Sequence, residues 1–98
     1  MEMKTTITVR HTTIPDEIKE RANELLEKIE RKVRRPQSAN VVFDEDHGLC
    51  VVEIQLHLAR GRYNIAKGEA SDFRTALDAA AQKLANQIDR GTTSVVRA

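Results

Sequence analysis

The residues best suited to chemistry in this chain are cations gathered at the end of a predicted helix. Lys28, Arg31 and Lys32 lie in its last turns, and Arg34-Arg35 follow directly. Guanidinium groups present fixed forks of N–H donors that match phosphate oxygens, and cations that bind nucleic acid release its counterions. Further cations flank a predicted hairpin and lie on a second predicted helix: Arg60, Arg62, Lys83 and Arg90. These residue types predict contact with phosphate groups.

The same charges also have an ordinary structural explanation. Cations are favoured near a helix C-terminus by the helix dipole, and the formal net charge of the chain is only +1. Three of the cations follow a glutamate by four residues, the spacing of ion pairs on a solvated helix face. These pairs are Glu24-Lys28, Glu27-Arg31 and Glu30-Arg34. Composition alone leaves both interpretations open.

No group of residues is arranged for catalysis or metal binding. His11, His47 and His57 fall in three separate predicted elements, without the His/Cys/Asp spacing typical of zinc. The acidic turn over 44–48 lacks the ordered ligand loop of a calcium site, and no glycine loop could cradle a nucleotide phosphate. We therefore predict no catalytic residue, no metal, no cofactor and no small-molecule substrate, which means that the protein is not an enzyme.

Two carboxylates and one thiol are assigned structural roles. Asp72 and Asp78 lie six residues apart on one predicted helix, where Asp72 is suited to cap the first turn. Cys50 is the single cysteine, so no internal disulfide can form. Its alternation with Val52 and Ile54 predicts a buried thiol.

Length and composition predict one small soluble domain. The chain has 98 residues, of which 32% are charged and 40% hydrophobic, which argues against disorder. No apolar run approaches the roughly 20 residues that cross a bilayer, and the N-terminus lacks a signal-peptide core. We expect a cytoplasmic protein with no membrane partner, a single domain over 1–91 and a short flexible tail over 92–98.

The clearest element is a helix from about Asp72 to Arg90. Ser71 and Asp72 can accept from free N–H groups of the first turn, and Gly91 can take the left-handed conformation that ends a helix. Apolar residues at helical spacing form one stripe: Phe73, Ala76, Leu77, Ala80, Ala81, Leu84 and Ile88. The many alanines in this stripe predict a close approach to the partner surface.

The chain before this last helix is predicted to form, in order, one strand, a first helix and three further strands. A period-two pattern over 3–10 predicts the first strand, and a helical stripe predicts a helix from Pro15 to about Val33. Further strands are predicted over 39–44, 49–59 and 62–67, with turns over 44–48 and at Arg60-Gly61. Two amphipathic helices and one apolar sheet face predict an α+β fold, β-α-β-β-β-α, with a four-stranded sheet and both helices packed on one face.

The order of residues in the last helix resembles a known family. Asp72-Phe73-Arg74-Thr75-Ala76-Leu77-Asp78, then Lys83-Leu84 and Gln87-Ile88, is similar to the C-terminal helix of the ribosome hibernation promoting factors, which include ribosome-associated inhibitor A, or protein Y. Weaker matches lie in the same order upstream: Ile7-Thr8, Arg10, Ile14, Ile18, Leu26, Lys28-Ile29-Glu30-Arg31, Ala66 and Gly68. The resemblance spans almost the whole chain, implies the same fold, and is to a short form without a C-terminal dimerisation domain.

The resemblance implies a stress-response factor that silences ribosomes. Such factors bind the small subunit, through 16S rRNA near the decoding region, and also the 70S ribosome, and they block mRNA and tRNA by occupancy. RNA-binding residues carried over from the family's basic positions are Arg10, Lys28, Arg31, Lys83 and Arg90. Four more are added on charge alone: Arg34, Arg35, Arg60 and Arg62.

Two other functions stay open on the sequence. An RNA-binding module could act away from the ribosome on duplex or structured RNA. A protein-interaction domain could self-associate or dock a partner without RNA, through an exposed β edge or through the outward Leu49 and Val51. Salt-resistant self-association without RNA affinity would distinguish the second.

Overall fold

Two helices cover one face of a mixed β-sheet in the computed structural model, which describes residues 3–91 and 94–95. The elements are β1 Lys4–Val9, α1 Asp16–Lys32, β2 Pro36–Asp46, β3 Leu49–Leu58, β4 Arg62–Ala70, α2 Phe73–Asp89 and a short β5 Ser94–Val95. The predicted α+β arrangement of four strands and two helices is confirmed. The tail prediction over 92–98 lies outside the described residues except for Ser94–Val95, which pairs with the start of β4, and it stays a prediction.

The strand order follows the chain, β1-β2-β3-β4-β5. β1 and β2 are parallel because α1 carries the chain back between them, and the other pairs are antiparallel. This topology brings distant segments to one end of the sheet. Pro36 at the start of β2 pairs with Leu58 at the end of β3, and three residues separate β3 from β4.

The core lies between the sheet and the helices. Alternate residues of β2 and β3, such as Phe43, Ile54 and Leu56, are fully buried there together with Leu77 and Leu84 of α2. A further aromatic contact joins Phe73 to Phe43, with ring centroids 5.9 Å apart in an edge-to-face arrangement. The predicted stripe of α2 therefore faces the core. Cys50 is only half-buried, and its partial burial raises the pKa of the thiol.

The alanines of α2 let this helix pack very close to β4, and Gly68 of β4 leaves the space that the helix backbone occupies. A Cβ atom added at Gly68 would lie 2.2 Å from the Ala76 carbonyl oxygen and 2.7 Å from the Ala80 nitrogen. Both neighbouring atoms belong to the helix backbone, so neither can move aside by a change of rotamer. Glycine at this position is therefore required by packing rather than by a turn.

The strands are longer than predicted near the first hairpin. Asp44 and Glu45 were expected in a turn, but they pair with Val51 and Cys50 in the antiparallel register. The turn itself is limited to His47-Gly48, which have φ angles of 51° and 79°. Two successive positive φ angles match the right-handed twist of the strands, so a two-residue turn suffices and the acidic residues extend the ladder.

A bidentate ion pair joins the two helices. Arg21 of α1 donates from Nε to Asp78 Oδ1 at 2.8 Å and from Nη2 to Asp78 Oδ2 at 3.1 Å, and this contact raises the pKa of Arg21. We expect Arg21→Met and Asp78→Asn each to lower the urea midpoint, with the double variant losing less than the sum, because the pair is shared. The control is Lys19→Ala, since Lys19 contacts Asp16 at 4.0 Å on the exposed surface. Additive losses in the double variant would contradict this coupling.

Asp72 caps α2 as predicted. Its Oδ2 accepts from the Thr75 N–H at 3.1 Å. A hydrogen bond with the Thr75 side chain, and then this backbone hydrogen bond, lower the pKa of Asp72 below its ordinary 3.8. The cap therefore stabilises the fold above that ordinary value, and the contribution is lost as the pH falls through the folded pKa. Asp72→Asn keeps a capping oxygen, so we expect near wild-type stability at neutral pH and a smaller fall in Tm on acidification. Identical acid profiles for both proteins would contradict this assignment.

Candidate nucleic-acid interface

The C-terminal ends of both helices lie at the same end of the molecule. Lys32 Nζ at the end of α1 is 3.8 Å from Asp89 Oδ1 at the end of α2. Arg34 and Arg35 connect α1 to β2 at this end, and the β3–β4 hairpin with Arg60 also closes here. We call this region the basic end. The partial negative charge of two helix C-termini favours cations at this position.

Four arginines of the basic end line one depression, although two pairs of them are about 25 residues apart in the chain. The depression has a volume of about 280 Å³, and its walls are Arg34, Arg35, Leu58, Ala59, Arg60 and Arg62. All four arginines are exposed. Among the described residues, none of these four guanidinium groups is paired with a carboxylate. We call these four residues the arginine cluster.

Backbone geometry holds the two halves of the arginine cluster together. The Ala59 N–H donates to the Arg35 carbonyl at 3.2 Å, which fixes the α1–β2 connection against the β3–β4 hairpin. Within that hairpin Arg62 N–H donates to the Ala59 carbonyl, and Arg60 has a φ angle of 65°. Arg35 also has a positive φ angle, of 52°.

The glutamates of α1 do not neutralise its cations. The three predicted four-residue ion pairs are absent among the described residues, where Lys28, Arg31 and Arg34 have no carboxylate partner. Long side chains on a wet helix face gain little from pairing, because ordering them opposes the weak attraction. Lys28 and Lys32 also border a groove of about 350 Å³ between the helices, whose other walls are Arg21, Leu25, Ile29, Asp78, Ala81, Gln82 and Ala85.

Lys83 and Arg90 lie together on the outer side of α2. With Asn86 and Gln87 they line a depression of about 280 Å³. Lys83 Nζ also donates to the Lys67 carbonyl at 2.8 Å, and Gln87 Nε2 donates to the Ile65 carbonyl at 2.9 Å. These two side chains satisfy carbonyls along the edge of β4. An ammonium group has three donors, so Lys83 keeps donors for a phosphate as well.

Arg10 is not brought to the basic end. It follows β1, where its N–H donates to the Phe43 carbonyl at 2.8 Å, and this lies near the end of β2 rather than its start. His11 Nδ1 lies 3.0 Å from Oδ1 of the neighbouring Asp44, and this hydrogen bond lowers the pKa of Asp44. Arg10 therefore lies at the opposite end of the sheet, close to carboxylates.

Sequence reasoning missed three features of the site. The left-handed conformation of Arg35 has no sequence signal, because arginine rarely adopts it. Lys32 was not selected as a site residue, although it borders the groove between the helices. The carbonyl contact of Lys83 was also unforeseen. Its spacing from Gln87, four residues on one helix face, was the available signal for a shared role.

The described residues hold no group of three or more His, Cys, Asp or Glu side chains that could bind a metal ion. None of the helices in this part of the chain combines the length and apolar character that a membrane crossing requires. The two phenylalanines contact each other in the core, so Tyr63 is the aromatic residue available for contact with a partner.

Comparison with known proteins identifies the family. A family model described as "Sigma 54 modulation protein / S30EA ribosomal protein" matches residues 5–94. The chain belongs to this family. The S30EA family includes the ribosome-associated proteins that the last helix resembles, so the resemblance is confirmed.

Solved structures agree with the S30EA assignment. A ribosomal subunit interface protein from Coxiella burnetii has the same fold, with a TM-score of 0.79 at 17% identity, and the match covers 91% of this chain and 97% of the other. The N-terminal domain of Thermus thermophilus protein Y is 26% identical with a TM-score of 0.74, over 93% of this chain and 99% of the other. Among curated proteins, no sequence matches this chain.

Proposed function

We propose that this S30EA family member is a cytoplasmic hibernation factor that binds the small ribosomal subunit in the decoding region and blocks mRNA and tRNA by occupancy. The observation that carries the proposal is the arginine cluster, four exposed guanidinium groups around one depression. The similar Coxiella protein is described as a ribosomal subunit interface protein, which supports a ribosomal partner. The proposed RNA contacts are phosphates of 16S rRNA.

Occupancy requires a rigid body with a charged surface rather than a reactive group. The described domain measures 36 × 24 × 24 Å. Buried packing holds the two helices on the sheet, and the Arg21–Asp78 pair joins them to each other. With both phenylalanines in the core, few side chains can stack on bases. Recognition therefore depends on phosphate geometry and on the shape of folded RNA.

Co-sedimentation with purified 30S subunits and 70S ribosomes at several salt concentrations tests this function. We expect the wild type to pellet with 30S and the binding to weaken as salt rises, because phosphate contacts release counterions. The variant Lys28→Glu/Arg31→Glu/Lys83→Glu/Arg90→Glu should pellet weakly. A wild type that stays at the top of the gradient at low salt would refute ribosome binding.

The occupancy mechanism has its own test. Subunits saturated with the protein should retain less mRNA and less tRNA in a filter-binding assay than free subunits do. When tRNA is added before the protein, the subunits should retain more tRNA than when the protein is added first. Unchanged retention on protein-saturated subunits would contradict the blocking mechanism while leaving ribosome binding intact.

Self-association is a second candidate, favoured by one edge of the sheet. β1 pairs with β2 and with no other described strand, and Val9 near its end is 36% exposed. An open, β-branched edge can pair with a second copy of the chain. Sedimentation equilibrium in high salt distinguishes the two functions, since a dimer that persists there without RNA affinity would favour this candidate.

A further inference from the structure

We propose that the arginine cluster forms a binding site for two adjacent phosphate groups. An RNA backbone or the pyrophosphate group of a nucleotide could supply them. The inference deepens the proposed function, because under that function ribosomal RNA brings the phosphates. It also makes a separate claim, since a built diphosphate site should bind pyrophosphate in the absence of any ribosome.

The unusual backbone of the arginine cluster is the first argument. Arg35 and Arg60 have φ angles of 52° and 65°, a region where a side chain with a Cβ atom is strained and glycine is not. Arg60 is the middle residue of the three-residue connection Ala59–Gly61, at a positive φ angle that glycine, asparagine and aspartate adopt more readily than arginine. A strained conformation at two arginines of one depression indicates that the guanidinium groups serve a purpose other than stability.

The charge distribution is the second argument. Four guanidinium groups without carboxylate partners line one depression, so their repulsion is not relieved within the described part of the chain. Buried Leu58 forms part of the wall, which lowers the local dielectric and strengthens contacts with an anion. A single phosphate satisfies one or two bidentate guanidinium groups, whereas two adjacent phosphates can satisfy all four.

The first hairpin supplies a matched comparison. His47 also has a positive φ angle, of 51°, and lies directly before a glycine, as Arg60 lies directly before Gly61. His47 lies beside Asp46, with 2.6 Å between Nδ1 and Oδ1, and far from the arginine cluster. His47→Gly therefore relieves the same backbone strain as Arg60→Gly without removing an arginine.

Isothermal titration with inorganic pyrophosphate and with inorganic phosphate tests the site. Wild type and His47→Gly should bind pyrophosphate saturably, about tenfold more tightly than phosphate. The variant Arg35→Gly/Arg60→Gly should lose about 100-fold in pyrophosphate affinity, since two charge-assisted contacts are removed. Its Tm should equal or exceed that of the wild type, because glycine accepts both backbone conformations. A Tm no lower than that of the wild type excludes unfolding as the cause of lost binding.

Parallel co-sedimentation with 30S subunits separates this inference from the proposed function. Displacement of the protein from 30S by pyrophosphate would support the site and identify RNA as a source of the phosphates. Pyrophosphate binding without 30S binding would support the site with a nucleotide as its source, and would refute the proposed function. Absence of saturable pyrophosphate binding, or equal pyrophosphate affinity in the wild type and in Arg35→Gly/Arg60→Gly, would overturn the site.

Discussion

Charge reversal of the arginine cluster should abolish ribosome binding, and this is the largest effect that we expect. The variant Arg34→Glu/Arg35→Glu/Arg60→Glu/Arg62→Glu should bind 30S subunits at least about 1,000-fold more weakly than the wild type at low salt, because four phosphate contacts become four repulsions. Neutral glutamine at the same positions should make the negative slope of log K against log salt shallower by about 3. Fluorescence titration of labelled protein with 30S measures both quantities.

Arg10→Glu is the control for this experiment. It changes the net charge in the same direction, but Arg10 lies near Asp44 at the opposite end of the sheet, so we expect 30S affinity within about twofold of the wild type. Circular dichroism and Tm should show that the quadruple variant is folded, since all four side chains are exposed. Equal losses from Arg10→Glu and from a single arginine of the cluster would contradict the assignment of binding to the basic end.

Gly68→Ala should destabilise the fold by about 3 kcal/mol, because the new Cβ meets helix backbone rather than a movable side chain. The added atom would lie 2.2 Å from the Ala76 carbonyl, so α2 must move away from β4 and loosen the core contacts of Leu77 and Leu84. Gly68→Val should prevent stable folding, since a small domain has only about 5–15 kcal/mol of stability. Urea unfolding monitored by circular dichroism measures the first loss.

Gly48→Ala separates a steric clash from a conformational cost. Gly48 has a φ angle of 79° and no atom within 4 Å of an added Cβ, so its replacement should cost only about 1 kcal/mol through backbone strain. The two alanine variants differ in environment and not in chemistry. If Gly68→Ala cost no more than Gly48→Ala, the close approach of α2 to β4 would not be the reason for glycine.

Residues close in sequence determined the helices and their caps. Hydrophobic spacing predicted α1 and α2 nearly to the residue, because a helix buries one stripe whatever it packs against. Asp72 was recognised as a cap from its type and position, and the alanines of α2 predicted the close approach that Gly68 completes. Strand ends were less certain, since β2 and β4 continue for as long as a neighbouring strand offers pairing partners.

The composition of the basic site was readable from the sequence, and its arrangement was not. Arg34, Arg35, Arg60 and Arg62 were selected on charge, and Lys28, Arg31, Lys83, Arg90 and Arg10 on resemblance to a family. Sequence could not show that the first four share one depression or that Arg10 lies at the other end. Those facts depend on strand order and register, which are set by contacts between segments far apart in the chain.

Sequence by itself thus determined the elements, the family resemblance and the surplus of cations at the end of α1, because each depends on local spacing and residue type. Only the tertiary structure decided which charges act together. The parallel β1–β2 pair and the antiparallel β3–β4 hairpin bring two arginine pairs to one end, while Arg21 and Asp78, 57 residues apart, join the helices. Electrostatic contacts act over a few ångströms in space, so only the folded chain defines them.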